Sequence, residues 1–471
     1  MEPYTHEQIL SENIQIAPFE IIQLFDFSIK HKKNEHSYLT CKAVVSEDNY
    51  TQYLEWTDTK SEITVNKRLE DGQTLSIYKG YLQNLQITNV NQVYYMSISA
   101  VSGTITLDLE KVFRSYQNSE ADYRNLIAET IDKYPKARFI DNISQKRKIN
   151  GLRIQYQETC WEFVKRLASE LGGNIFSTDQ QIEPHFYFGF PNAVVKGEIE
   201  AYNYECNRDY LNYRILDENT EYKLMQGNCV TYKVKSLQIY LPGDKVSFKN
   251  RSWYITDVER ILEQGILYHY YTLATTDAAI AYPIKNEKIK GVSLKGTVQS
   301  VKEDKLLVSL DIDRSYQTQP VYWFTYSTSY TSDNNIGWYM MPEPGDRVRI
   351  YFPTEEEANG YALGAIREDQ GKEEYLDPNV KTLKNKHGKT ITLEHDKITI
   401  FGNGTQIILS DKEGLIMKSD SSVSISGSNN VQIHGNEILM DASDRIKLSV
   451  NNNSITVDQR IVLNGTDVKM N

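Results

Sequence analysis

The final stretch of the chain limits its possible folds more than any other. After residue 386, apolar residues come in pairs at i and i+2, and the pairs return every six to nine residues. They are Ile391/Leu393, Ile398/Ile400, Ile407/Leu409, Leu415/Met417, Val423/Ile425 and Val431/Ile433, then Ile438/Met440, Ile446/Leu448, Ile455/Val457, Ile461/Leu463 and Val468/Met470. Alternation with period 2 makes each pair the buried side of a short strand. Turn formers such as Gly402-Asn403-Gly404 and Asn451-Asn452-Asn453 lie between them. A strand about every eight residues describes an array rather than a globular core.

Two arrangements suit such an array. An antiparallel meander needs a layer over its apolar face and protection for two edges, and no amphipathic helix lies nearby to provide it. Alternatively, three chains wind about one axis, each strand forming one side of a triangular prism. That interior admits only small and medium aliphatics. The chain holds 33 Tyr, 14 Phe and 5 Trp, yet Phe401 is the one aromatic after residue 386. A single-chain solenoid uses repeats of about 20 residues or more, so a unit this short is one side of a triangle. The expectation is therefore a C-terminal triple-stranded β-helix needle over 387–471, formed as a homotrimer, with these aliphatic pairs as its buried core. At about 4.8 Å per strand it would rise roughly 50 Å.

Upstream the chain follows different rules. Residues 369–386 form a polar linker containing the last proline, Pro378. Residues 291–368 alternate as five or six strands, with the turn Pro344-Gly345-Asp346, and predict an OB-fold barrel. Strand-rich blocks at 1–110 and 202–290 predict two further β-barrels, with Ile21 to Val45, Tyr53 to Val65 and Leu75 to Leu109 read as strands. Between them, 111–201 reads as an α/β insert with two amphipathic helices. The first follows Ser119 as N-cap and stops at Pro135. The second opens on the capping box Thr159-x-x-Glu162 and ends at Gly172-Gly173. Its Cys160 falls on the apolar face and reads as a core residue. The fold class is mainly β.

Function classes fall away quickly. The formal net charge of −11 opposes nucleic-acid binding. Four dispersed cysteines make neither a disulfide framework nor a structural zinc site. No apolar run is long enough to span a membrane, and the N-terminus carries no Sec-type signal, so synthesis in the cytoplasm is expected. No G-x-S-x-G, H-E-x-x-H, P-loop or dinucleotide fingerprint occurs. No catalytic, cofactor-binding or metal-ligating residues are expected.

The segment Gln155-Tyr156-Gln157-Glu158-Thr159-Cys160-Trp161-Glu162-Phe163-Val164-Lys165-Arg166-Leu167-Ala168 resembles the Q-Y-x-E-T/S-x-x-x-F-x-x-R-L segment of VgrG-type spike proteins. The turn Pro344-Gly345-Asp346-Arg347-Val348, with Leu363-Gly364-Ala365-Ile366, resembles the end of that family's OB domain, and the aliphatic repeat resembles its needle. The resemblance implies a structural, non-enzymatic baseplate hub and membrane-puncturing spike of a contractile injection system, as in type VI secretion and phage-tail-like particles. Two hub barrels per chain would make a ring adapting the trimeric needle to a hexameric tube. The implied partners are two further copies of the chain, the tail tube protein, baseplate proteins and, transiently, a target membrane. With no histidine after His434, Val468 and Met470 are expected to dock a PAAR-like tip protein. The alternative class is a trimeric tailspike-like glycan-binding or glycan-cleaving protein, which would want exposed aromatics and paired carboxylates on the repeat.

Overall fold

The computed structural model describes residues 9–68, 73–191, 194–316, 319–332, 336–364, 377–464 and 466–467. It divides into two units, Met1–Glu368 and Asp369–Asn471.

Period-2 sequence patterns build the first unit. Ser37–Val45 alternates strictly, turning Ser37, Leu39, Cys41, Ala43 and Val45 inward, and Ile266–Ala274 does the same with Leu267, His269, Tyr271 and Leu273. Such strands bury one face and hydrogen-bond sideways, and here twelve of them join in one sheet. In spatial order they run Ile14–Ala17, Glu62–Arg68, Thr74–Val90, Val93–Val101, Ser37–Val45, Ile21–Lys32, Arg251–Glu263, Ile266–Ala274, Thr231–Ser236 and Tyr204–Asn207. Lys245–Phe248 pairs with Arg251–Glu263 and also with Val195–Glu198. The joint between the early and late strands is short: Ser28–Lys32 lies antiparallel to Asp257–Ile261. Each side has its own core, one including Ile29, Leu39, Val65 and Met96, the other Val246, Trp253, Ile255 and Leu273.

The insert packs two helices, Tyr123–Thr130 and Cys160–Glu170, around Leu126, Ile127, Phe163 and Leu167. The N-cap of the first helix is Asp122, not Ser119. The Asp122 carboxylate accepts from the Asn125 backbone N–H at 2.8 Å, whereas Ser119 lies in the preceding turn. The capping box of the second is present in both directions: Thr159 Oγ1 accepts from Glu162 N, and Glu162 accepts from Thr159 N. Gly172 then ends the helix at φ +68°, a left-handed conformation that favours glycine. Cys160 is buried, and its thiol donates to the Thr130 carbonyl at 3.3 Å.

A five-stranded sheet follows, ordered Trp323–Thr325, Lys305–Leu310, Ser293–Lys302, Arg347–Tyr351, Tyr361–Leu363. An isolated bridge between Tyr326 and Ala362, with Ser327 N donating to Ala362 O at 2.8 Å, brings its two ends together. Leu152 and Ile154 of the insert sit in its core beside Val298, Val308 and Ile350.

Gly103–Asp108, read as strand within Leu75 to Leu109, is a 3-10 helix, and two α-helices of 10 residues each also depart from the strand readings. Glu47–Trp56 is helical, so Tyr53 to Trp56 are not strand; Ser46 caps it. Tyr210–Asn219 is helical inside what reads as a strand-rich block. Neither has a wide apolar stripe, so periodicity did not reveal them.

Candidate functional site

Short alternating segments and tight turns give the terminal unit its shape. Five strands, Lys381–Lys384, Thr390–Leu393, Lys397–Gly402, Thr405–Ser410 and Gly414–Ser419, pair antiparallel in sequence order. The first lies within the expected linker, which therefore contributes an edge strand. At the Asn403-Gly404 turn the backbone takes φ +78°, and a Cβ there would sit 3.0 Å from an Asp420 carboxylate oxygen.

The register decides the chemistry of this sheet. Leu393 faces Ile398 and Ile391 faces Ile400; Ile398 then faces Leu409, and Ile400 faces Ile407. On the next strand Leu409 faces Leu415 and Ile407 faces Met417. Residues paired across a ladder share a face, so four strands project one continuous aliphatic surface. That surface is not covered. Relative exposure is 40% at Ile391, 45% at Leu393, 44% at Ile400, 61% at Leu415 and 49% at Met417. A second sheet, Ile446–Val450, Asn453–Val457 and Ile461–Asn464, repeats the pattern: Ile446 faces Val457, and Leu448 faces Ile455. The next ladder sets Ile455 against Leu463 and Val457 against Ile461. Leu448, Ile455 and Ile461 are exposed.

The middle of the repeat differs from its two flanks in the single chain. Residues 420–445 carry no strand in the single chain. Val423, Ile425, Val431, Ile433, Ile438 and Met440 are expected in the core of three wound chains; in one chain they lie outside strands and are not buried. In one chain Ile425 is 66% exposed and Ile433 is 60% exposed, and the other four lie between 50% and 60%. The physical reason is that an extended segment becomes a strand only when another strand satisfies its backbone groups. Among the described residues of one chain, Ile425 and Ile433 have no such neighbouring strand to pair with or pack against. Val468 and Met470 lie outside the described residues.

Charged side chains in the first unit hold structure together. Arg166 is buried between two carboxylates: its Nε and Nη2 donate to Glu158 at 2.9 Å each, and Nη1 donates to Glu357 at 2.9 Å. Burial raises the Glu158 pKa while Arg166 opposes the rise. Ser115 adds a second tie, donating from backbone and hydroxyl to the buried Asp313 carboxylate. Glu357 and Asp313 belong to the five-stranded region, and Arg166 and Ser115 to the insert, so buried polar bonds lock these parts together. The acidic run Glu355-Glu356-Glu357 is thus split in role: Glu355 and Glu356 face Lys290 and Lys285 at the surface, while Glu357 is the buried anchor. Among the described residues no group of three or more His, Cys, Asp or Glu is arranged to hold a metal. No helix there is long and apolar enough to cross a membrane.

No protein-family model matches the sequence, and no curated protein does. Solved structures do match. The E. coli c3393 protein is a component of the type VI secretion system similar to the T4 bacteriophage tail proteins gp27 and gp5. It aligns at TM-score 0.52 and 14% identity, covering 75% of this chain and 99% of its own. A chain of the half-lidded Francisella PdpA-VgrG complex aligns at TM-score 0.56 and 10% identity over 89% of each chain. The fold is of the VgrG type. The lidless form of the Francisella complex repeats the match at TM-score 0.52 and 10% identity, covering 89% of this chain and 99% of that one. In this VgrG-type fold the Gln155–Ala168 motif is architectural. Gln155 Nε2 donates to the Glu158 carbonyl at 3.2 Å, Thr159 and Glu162 cap the helix, and Arg166 is the buried ion-pair centre. Glu357, which completes the centre, carries no signal of its own in the sequence.

Proposed function

We propose that this chain is the trimeric hub and spike of a contractile injection system: a mechanical part, with no catalytic role. The observation that carries the reading is the uncovered aliphatic ladder of the terminal unit. The paired side chains from Ile391 to Met417 cannot stay in water at this density without a covering surface, and each contributes about 1.5–3 kcal/mol when covered. The narrow aliphatic layer, short of aromatics, suits two more copies of the same segment wound about one axis. Residues 420–445 suit strands completed by those copies, which would bring Ile425 and Ile433 into the shared interior. The needle core is then Ile391 to Leu463 as the pairs run. Residues 291–368 form an OB-fold barrel and 1–110 and 202–290 the two hub barrels, whose threefold ring faces a hexameric tail tube and the baseplate. The type VI and phage-tail character of the proteins sharing this fold supports the same assignment.

The mass of the purified full-length chain in solution tests this. A trimer is expected at micromolar concentration. Ile400→Asp with Leu409→Asp should dissociate the needle while leaving the first unit folded, because three copies of each carboxylate would meet at the axis. A folded wild-type monomer would refute the reading. Release of muropeptides or reducing sugar from cell walls by the pure protein, lost on changing one carboxylate, would refute the non-catalytic part.

A further inference from the structure

In the five-stranded region, the turn between Ser293–Lys302 and Lys305–Leu310 faces two arms of chain, 327–332 and 336–341. Together they enclose an open groove of about 820 Å³. Its walls are fixed by short-range bonds. Tyr326 N donates to Asp304 O at 2.8 Å, and the Tyr339 hydroxyl donates to Glu303 O at 2.9 Å, so the turn holds both arms. Thr331 pairs with Gly337 across the arms, and Trp338 N donates to Tyr330 O at 2.9 Å. Thr328 Oγ1 donates to Trp338 O at 2.8 Å. Gly337 has φ +144°, and a Cβ there would collide with the Tyr330 carbonyl oxygen, so the arms close this tightly only on glycine.

Two large rings line this groove and face water. Trp338 is 60% and Tyr339 74% exposed, and neither ring meets another aromatic ring or a cation among the described residues. Rings held open in a concave site leave apolar faces for a ligand to cover. The groove also holds unused hydrogen-bonding capacity. The side chains of Glu303, Asp304, Thr325 and Thr331, and the Trp338 indole N–H, have no partner among the described residues. Charge nearly balances there. Lys302 and Lys305 face each other across the same turn, beside Glu303 and Asp304, and no Lys or Arg lines the groove itself. The neighbouring Asp346 is engaged in its own turn, accepting from Glu343 N at 2.7 Å.

We infer that this groove binds an uncharged oligosaccharide. A sugar ring has an apolar C–H face, which rests on an aromatic ring, and a hydroxyl edge, which needs donors and acceptors together. Trp338 and Tyr339 serve the face; the two carboxylates and the threonine hydroxyls serve the edge. The volume lies within the range of small-ligand sites. Single-stranded nucleic acid also stacks on aromatic rings, but it needs a basic track for its phosphates, which this lining lacks. A basic peptide needs an acidic wall, and here Lys302 and Lys305 offset the two carboxylates. An apolar peptide would bury Glu303 and Asp304 without partners. Binding without cleavage follows from where the carboxylates sit. Both belong to one two-residue turn, whereas glycoside cleavage sets one on each side of the bond. The groove is formed within one chain, so this inference does not rest on the trimeric reading.

Ligand-observed NMR and titration calorimetry on the full-length protein test this, with chitotetraose, cellotetraose and maltotetraose as the probes. Saturable binding of at least one tetrasaccharide is expected at millimolar concentration or below. Trp338→Ala and Tyr339→Ala should each weaken it at least tenfold, and Trp338→Phe, which keeps a ring, should weaken it less. The Trp338 bonds within the arms are made by its backbone, so Trp338→Ala should leave the urea midpoint unchanged and report on binding alone. Absence of binding by all three sugars, or binding that survives loss of both rings, overturns the inference. Trp338-dependent binding of an oligo-dT strand or an arginine-rich peptide, with none of the sugars, overturns it in favour of a charged ligand.

Discussion

His269 lies on Ile266–Ala274 with both ring nitrogens buried and without a hydrogen-bond partner. Burial, reinforced by Arg260 and Lys67, lowers its pKa to about 3, against about 6.5 in an unfolded chain. The unfolded state therefore takes up the proton first. Stability is complete above about pH 6.5 and falls as pH drops toward 3, by roughly 2 kcal/mol at pH 5 from this group alone. Urea unfolding of wild type and His269→Phe at pH 7.5 and 5.0 should show that slope in the first and not in the second. The buried Asp179 acts in a separate, lower window. Burial alone would raise its pKa, but His31 and Arg260 outweigh that and hold it well below the ordinary carboxylate value. Its contribution is present above about pH 3.9 and lost below it. Arg166 gives an ion-pair counterpart, assessed at neutral pH where Glu158 and Glu357 would be left charged. Arg166→Met strands Glu158 and Glu357 as buried carboxylates and should cost about 3–5 kcal/mol, read as a lowered urea midpoint. Glu357→Gln, which keeps a hydrogen-bond acceptor, should cost less.

At the level of elements, helix Cys160–Glu170 was fully legible because its signals are local: a cap, a stripe of apolar residues and a glycine stop all lie within 14 residues. Thr159→Ala removes the side-chain half of the capping box and should lower stability by about 1 kcal/mol, measured by thermal or urea unfolding. Glu47–Trp56 and Tyr210–Asn219 were not legible. Both lack the wide apolar face that marks a core-facing helix, and their Tyr-rich sequences suit strands equally well. In Tyr210–Asn219 tertiary packing buries only Leu216. Strands in the terminal unit were legible as a repeat, but the stretch from Val423 through Ile425 and Ile433 to Met440 forms none in one chain, since a strand depends on its neighbour.

Across the whole molecule, the two units bury apolar surface differently. The first has several closed cores of its own, whereas the second leaves its aliphatic pairs exposed. A chain ending at Glu368 should therefore keep its β-rich circular dichroism yet lose the resistance to heat and detergent expected of the full-length assembly. Equal detergent resistance in the two would show that the needle contributes little. Chain entropy cancels most of the gross burial energy, so the difference belongs to the assembled state and should fade on dilution below the assembly threshold.

Sequence alone determined whatever depends on near neighbours: the mainly β class, the capped helix, the aliphatic repeat and the break in composition near residue 386. Period-2 and period-3.6 patterns, caps and turn residues act over a few residues, so they can be read directly. Tertiary structure decided what depends on partners distant in sequence. It joined the early and late strands through Ser28–Lys32 and Asp257–Ile261. It brought Glu357 to Arg166 across 191 residues, and it placed two bulges where they lift Ile22 and Phe25 into solvent. Register and long-range pairing are set by how whole faces fit together, and no local pattern encodes that fit.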